Sequence, residues 1–154
     1  MADFLHFEDF EVGSSTVYGE KLVTEAEIIA FGREFDPQPI HVDPVAAAES
    51  SFGGLIASGL HSCSMMMRLM CDGYMLRSAS RGSPGVDEVR YLAPVRPGDV
   101  LRVRVTVLET RRSASRPEMG IVSARHELLN QRDEVVLLMT SKVMMGSRDA
   151  GAAA

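Results

Sequence analysis

Between Leu60 and Leu76 the chain carries Leu60, Met65, Met66, Met67, Leu69, Met70, Tyr74, Met75 and Leu76. Read at helical spacing, these residues leave almost no polar face. A helix that is apolar on most sides has to be wrapped by other structure, so this run dictates a fold built around it. Ser58 is placed as its N-cap, and the pattern continues to about Ser78. The methionines read as adaptable core filler. After a Gly/Ser/Pro-rich break from Ser78 to Gly85 the period changes from helical to two. Val86 to Val95, Val100 to Glu109, Ile121 to Leu129 and Val135 to Met144 read as four strands. The clearest of them alternates Leu101, Val103, Val105 and Val107 with Arg102, Arg104 and Thr106. The pattern alone predicts an α+β fold in which consecutive antiparallel strands wrap one long helix.

Upstream, Ser14 to Val23 reads as a further strand. Thr24 and Glu27 have capping-box spacing and open a helix carrying Ile28, Ile29, Phe31 and Phe35, which must stop before Pro37. The stretch Phe35-Asp36-Pro37-Gln38-Pro39-Ile40-His41 then excludes an ordinary helix or strand. Pro37 and Pro39 fix φ, remove two donors and push their predecessors toward extended backbone. A stiff loop with Asp36 at one end and His41 at the other is expected. Two side chains held rigidly can grip one water, and general acid–base chemistry depends on that geometry. Read blandly, Asp36 caps a turn and His41 is a satisfied semi-buried histidine. Pro44 is placed in the first turn of a short helix containing Ala46, Ala47 and Ala48, broken at Phe52-Gly53-Gly54.

The 154 residues, 45% of them hydrophobic, suffice for one domain over residues 1–146, and the tail 147–154 lacks apolar periodicity and is expected to be disordered. The net charge of −5 argues against a nucleic-acid partner. No uninterrupted apolar run of about twenty residues occurs, which argues against a membrane span. The start, Met1 to His6, lacks a basic and apolar leader pattern, so a cytoplasmic location is expected. Cys63 and Cys71 read as buried, reduced thiols, and their spacing offers no metal site. No Gly-rich phosphate cradle is present, and no cofactor is implied.

The overhang residues Asp36, Pro39, Ile40 and His41, followed by Ser51 to His61 with its small-residue turn and Gly59, resemble the MaoC-like dehydratases, the group that includes the R-specific enoyl-CoA hydratases. The likeness runs from about Val12 to Met145. Leu92-Ala93-Pro94-Val95-Arg96-Pro97-Gly98-Asp99 resembles the turn that this family places between two strands. It implies a hot-dog fold with a hydratase-type overhang and pairing into homodimers or larger assemblies. A long exposed sheet edge is a liability for a monomer, which independently favours pairing. Two departures stand out. The family often has Asn where this chain has Gln38. A serine that assists the dyad in some members falls, by gap-free spacing from His41, at Met67.

The resemblance implies hydration of an enoyl thioester carried by CoA or an acyl-carrier protein, as in fatty-acid metabolism. Asp36 and His41 would hold water and move the proton, with Phe35, Ile40 and Val42 excluding solvent. The Gly59 N–H, at a helix start that carries unpaired donors and partial positive charge, would receive the thioester oxygen. Pro39, Ile40, Ser58 and His61 are candidates for contact with substrate. His61 equally fits a structural role at the helix start. The loop carrying Arg111, Arg112 and Arg116 is a candidate for CoA phosphate, with Arg90 and Arg96 as alternatives. His126, beside Arg125, is expected to face solvent. Two rival readings remain open, an acyl-CoA thioesterase and a non-catalytic acyl-binding module. No Asp or Glu occurs between Glu49 and Asp72, so the helix start has no acid of the kind such thioesterases use.

Overall fold

The apolar helix does determine the architecture. A computed structural model describes residues 3–149, and in it five antiparallel strands form one sheet around that helix. The order along the chain is β1 (Ser15–Leu22), α1 (Glu25–Phe35), α2 (Pro39–Val42), α3 (Pro44–Glu49), α4 (Gly59–Gly73), β2 (Gly85–Tyr91), β3 (Val100–Arg112), β4 (Met119–Leu129) and β5 (Val135–Gly146). The sheet order is β1-β3-β4-β5-β2, so β1 and β2 are its edges.

Met66, Leu69 and Met70 of α4 join one core with Leu101 and Val103 of β3, Leu128 of β4 and Leu137 of β5. Each side chain of this size contributes about 1.5–3 kcal/mol when fully buried. The alternation read along β3 is observed, with Leu101, Val103, Val105 and Val107 buried and their neighbours half-exposed. Thr24 caps α1 as expected: its hydroxyl accepts from the Glu27 N–H at 3.2 Å while Glu27 reaches back to the Thr24 N–H at 3.0 Å.

Several boundaries differ from expectation. The central helix ends at Gly73, where Tyr18 packs so closely that a Cβ on Gly73 would lie 2.6 Å from its ring. A 3-10 turn over Met75–Arg77 follows. The strand expected over Val86 to Val95 stops at Tyr91. Beyond it, Val95 turns toward the overhang and accepts from the Ala57 N–H at 2.8 Å. The expected tail begins too early: Ser147 is buried and hydrogen-bonded to Glu8, and Arg148 pairs with Asp9. Residues 150–154 of that tail lie outside the described residues. His126 is 0% exposed, contrary to the expectation that it faces solvent. In a strand with period two it shares the inner face with Val122, Ala124 and Leu128, while Arg125 takes the outer one. Cys63 and Cys71 are free thiols, and both are half-buried rather than buried.

α1, α2 and α3 form the overhang between β1 and α4. Among the described residues no helix is long and apolar enough to cross a membrane.

Candidate active site

The two prolines do what their chemistry requires, with one correction. Pro37 ends α1 and the backbone extends through Gln38, but Pro39 then starts a single helical turn, α2, that carries His41. A proline at the first helical position lacks only an N–H that would have been unpaired there, and its fixed φ suits the turn. His41 is thereby buried, 5% exposed, rather than displayed on an extended loop.

Gly32 of α1 makes room for this turn. A Cβ there would stand 2.9 Å from Val42 Cγ1 and 3.1 Å from both His41 Cβ and the His41 carbonyl oxygen. Replacement by alanine has to displace α2 by a few tenths of an ångström. Misplacement by about 1 Å can cost a hundredfold in rate. Gly32→Ala is therefore expected to lower kcat about tenfold with little change in melting temperature, as read by steady-state kinetics beside a thermal melt.

Asp36 and His41 meet as anticipated, with Nε2 of His41 3.3 Å from Oδ2 of Asp36. Nδ1 of His41 lies 2.8 Å from the Ile56 carbonyl oxygen. A carbonyl only accepts, so Nδ1 carries a proton and Nε2 of the neutral ring presents a lone pair toward the carboxylate. Asp36 is held from both sides: Ser58 Oγ donates to Oδ2 at 2.7 Å and Gln38 Nε2 donates to Oδ1 at 2.8 Å. These two bonds, Ser58 first, hold its carboxyl below the ordinary range. Burial opposes them, and the His41 ring adds to the effect only when it is protonated. Asp36 is therefore ionised at neutral pH. Two acceptors side by side can be joined by a water that donates one hydrogen to each.

Ser58 stands at the N-cap of α4, yet its side chain does not cap that helix, because its hydroxyl is committed to Asp36. The first-turn N–H groups of α4 thus lack a side-chain cap, and Gly59, the first of them, lines the site at the positive end of the helix dipole. A Cβ on Gly59 would lie 2.5 Å from Cζ of Tyr91, so only glycine permits that ring to lie where it does.

These groups open onto a cavity of about 450 Å³. Asp36, Gln38, His41, Gly59, Ser62 and Tyr91 line its working end, and Leu92, Val136 and Leu137 give it an apolar wall. Gln38, Ser62 and Tyr91 were not singled out from the sequence as site residues. Ser62 was within reach, since it lies one turn beyond Ser58 on the same helix face. Tyr91 comes from a distant strand and carried no signal.

Other sequence candidates lie elsewhere. Met67, where gap-free spacing put the helper serine, faces a different cavity, and the helix serine in this pocket is Ser62. Counting residues from His41 ignores the connection that sets where α4 begins. His61 is buried on the α1 side, stacked on Phe31 at 4.7 Å with Nε2 3.5 Å from Glu27, and burial lowers its pKa. Phe35 is 61% exposed and does not shield the dyad. Pro39 and Ile40 position His41 through the backbone: the Ile40 carbonyl accepts from the Ile56 N–H at 3.1 Å.

Arg111 and Arg112 are far from the pocket. Val103 aligns through β4 with Leu137 at the pocket, whereas Arg111 aligns with Met144. The eight residue steps between them span roughly 27 Å of strand. Arg112 is moreover engaged by Glu8 and Ser147, and Arg116 sits in the loop beyond β3. Arg90 pairs with Glu88 on the edge strand. Arg96 lies at the pocket rim, donating to the Phe52 carbonyl at 2.6 Å. Among the described residues no group of three or more His, Cys, Asp or Glu comes together to hold a metal ion.

Known proteins resemble this chain in sequence and fold. A family model described as "MaoC like domain" matches residues 11–127. The uncharacterized protein YdeM of Bacillus subtilis is 27% identical over 84% of this chain and 90% of its own length. A 3-hydroxybutyryl-CoA dehydratase of Methylorubrum extorquens is 31% identical over 68% of this chain, which spans 65% of that relative's length. The crystal structure of the MaoC-like dehydratase from Rhodospirillum rubrum superposes with a TM-score of 0.87 at 43% identity, covering 94% of this chain and 98% of that one. A wrapped central helix, an overhang bearing the Asp–His pair and a family match over three quarters of its length make this chain a hot-dog-fold member of the MaoC-like dehydratase family of hydro-lyases.

Proposed function

We propose that the chain catalyses the reversible hydration of a 2-enoyl thioester to the R-3-hydroxyacyl thioester. The observation that carries this reading is the acceptor pair, Nε2 of His41 and the carboxylate of Asp36 at 3.3 Å, set in one cavity with the uncapped start of α4. A water donating to both acceptors turns its oxygen toward the substrate β-carbon. As the C–O bond forms, His41 Nε2 takes one proton, and Asp36 stabilises the imidazolium. That same proton then passes to the α-carbon, so the elements of water are added and nothing else is consumed. Negative charge that grows on the thioester oxygen meanwhile is received by the Gly59 N–H, a preorganised donor of a kind that contributes about 3–4 kcal/mol where it has been tested.

The carrier is CoA or an acyl-carrier protein. Arg96 at the rim takes over from the Arg111–Arg116 loop as the candidate for its phosphates. A second copy of the chain is expected along β2. That strand is exposed on every residue and presents Val86, Val89 and Tyr91 from an edge of the sheet. The two free thiols suit a reducing cytoplasm.

The test is to add the protein to crotonyl-CoA and follow both the enoyl absorbance and free thiol. Hydration removes the conjugated band without releasing thiol. Thiol release would make the protein a thioesterase, and no change in either signal would leave an acyl-binding module. Sedimentation of the same sample at twice the 16.8 kDa chain mass or more supports the pairing, whereas an active monomer refutes it.

A further inference from the structure

We infer that Tyr91 sets the length of acyl chain the site accepts, by standing between the Asp36–His41 pocket and a second, methionine-lined cavity farther along α4. This inference rests on the enoyl-thioester reading above. The second cavity has a volume of about 230 Å³ and is lined by Met67, Met70, Met75, Val86, Met139 and Val143, among others. Three elements carry both cavities. On α4, Gly59 and Ser62 face the first, and Met67 and Met70 face the second. On β5, Leu137 faces the first and Met139 the second; two residues apart, they share one face of the strand. On β2, Tyr91 faces the first and Val86 the second.

The Tyr91 ring lines the first cavity and lies over the part of α4 that leads toward the second. It lies against Gly59, and its hydroxyl is 3.9 Å from Cys63 Sγ. Gly59, Cys63 and Met67 follow one another at steps of four, a single stripe along α4. The ring therefore blocks the stripe between its dyad end and its methionine end.

The ring is held lightly. In the single chain Tyr91 is 57% exposed at the end of β2, the edge along which a second copy is expected, so its ring belongs to the rim of the sheet and not to the core. Among the described residues its hydroxyl has one polar contact, and that is with a thiol, a weak hydrogen-bonding partner. Methionines behind it adapt to chains of different shape. With the ring in place the dyad pocket takes a short acyl group; with the ring removed, the tail runs on along α4.

Saturated acyl-CoAs read the length directly, because they cannot be hydrated. Butyryl-, hexanoyl-, octanoyl- and decanoyl-CoA are titrated calorimetrically into the wild type, Tyr91→Ala and Tyr91→Phe. Hydration of the matching enoyl-CoAs is measured alongside. Each methylene newly buried tightens binding about fourfold. Tyr91→Ala is accordingly expected to improve octanoyl-CoA over butyryl-CoA at least tenfold relative to wild type. Tyr91→Phe, which keeps the ring, should retain the wild-type profile. Adding Met67→Trp to Tyr91→Ala refills the second cavity and should return the preference to short chains. A Tyr91→Ala series parallel to wild type, or a shift that Met67→Trp leaves in place, overturns this role of Tyr91. A shifted binding series without hydration at any length upholds the role of Tyr91 and overturns the enoyl reading instead.

Discussion

Asp36→Asn and His41→Ala are each expected to lower the turnover of enoyl-thioester hydration at least about a hundredfold, the scale of a general acid–base contribution. Both variants should fold. In the first, the side-chain amide would offer one acceptor to the two donors, Ser58 and Gln38, that the carboxylate now satisfies. Its NH2, if turned toward Nε2 of His41, would occupy the lone pair that water needs. In the second, loss of the imidazole would leave the Ile56 carbonyl without its buried partner and Asp36 without the ring beside it. Because the two side chains grip one water, losing either removes the same function. The double variant should be little slower than the worse single one. Steady-state hydration rates beside a thermal melt measure all of this. Either single variant within tenfold of wild type, or strictly multiplicative losses in the double, contradicts the dyad.

The second large effect concerns stability rather than turnover. His126 is buried under the sheet's inner face, and among the described residues neither ring nitrogen has a hydrogen-bond partner. Burial pushes its pKa down to about 4, and the nearby Met139 backbone, outside hydrogen-bond geometry, opposes this only weakly. The folded state thus resists a proton that the unfolded chain binds at about 6.5. Stability is full above pH 6.5 and falls as the pH drops from there to about 4. The total loss is about 3 kcal/mol, at 1.36 kcal/mol per pH unit. His61, whose pKa burial also lowers, adds to the loss in the same direction. Glu8, held at about 2 by Ser147 and Arg148, matters only below pH 4.5. His126→Leu isolates the His126 share. Urea unfolding at pH 7.5 and 4.5 should show wild type losing at least about 2 kcal/mol more than this variant. Equal losses would mean that His126 finds a proton acceptor or water in the folded state.

Much of this fold is legible in the sequence. The apolar run around Met66 demanded a wrapping sheet, the Thr24–Glu27 box fixed the start of α1, and Leu101 to Val107 fixed the inner face of β3. Local steric rules also brought Asp36 and His41 together, because two prolines leave that segment few conformations. His126 departs from the solvent-facing expectation although the same rule covers it: period two puts Arg125 outside and His126 inside. What local rules could not supply was distance along the sheet and contact across it. Arg111 and Arg112 looked like a phosphate loop only while strand register was unknown. Tyr91 reaches Gly59 from thirty-two positions away, and no spacing in the sequence encodes that approach.

In the proposed mechanism one water, held by Asp36 and His41 on one side of the enoyl plane, supplies both the hydroxyl and the proton. Hydration of crotonyl-CoA in D2O decides whether it does, with chiral analysis at C3 and NMR assignment of deuterium at C2. The one-sided dyad predicts deuterium added to the same face as oxygen, a syn addition, and the family likeness predicts the R-alcohol. Deuterium on the opposite face is incompatible with a single dyad on one side of the acyl chain, and an S-alcohol would contradict the R-specific reading carried by the family likeness.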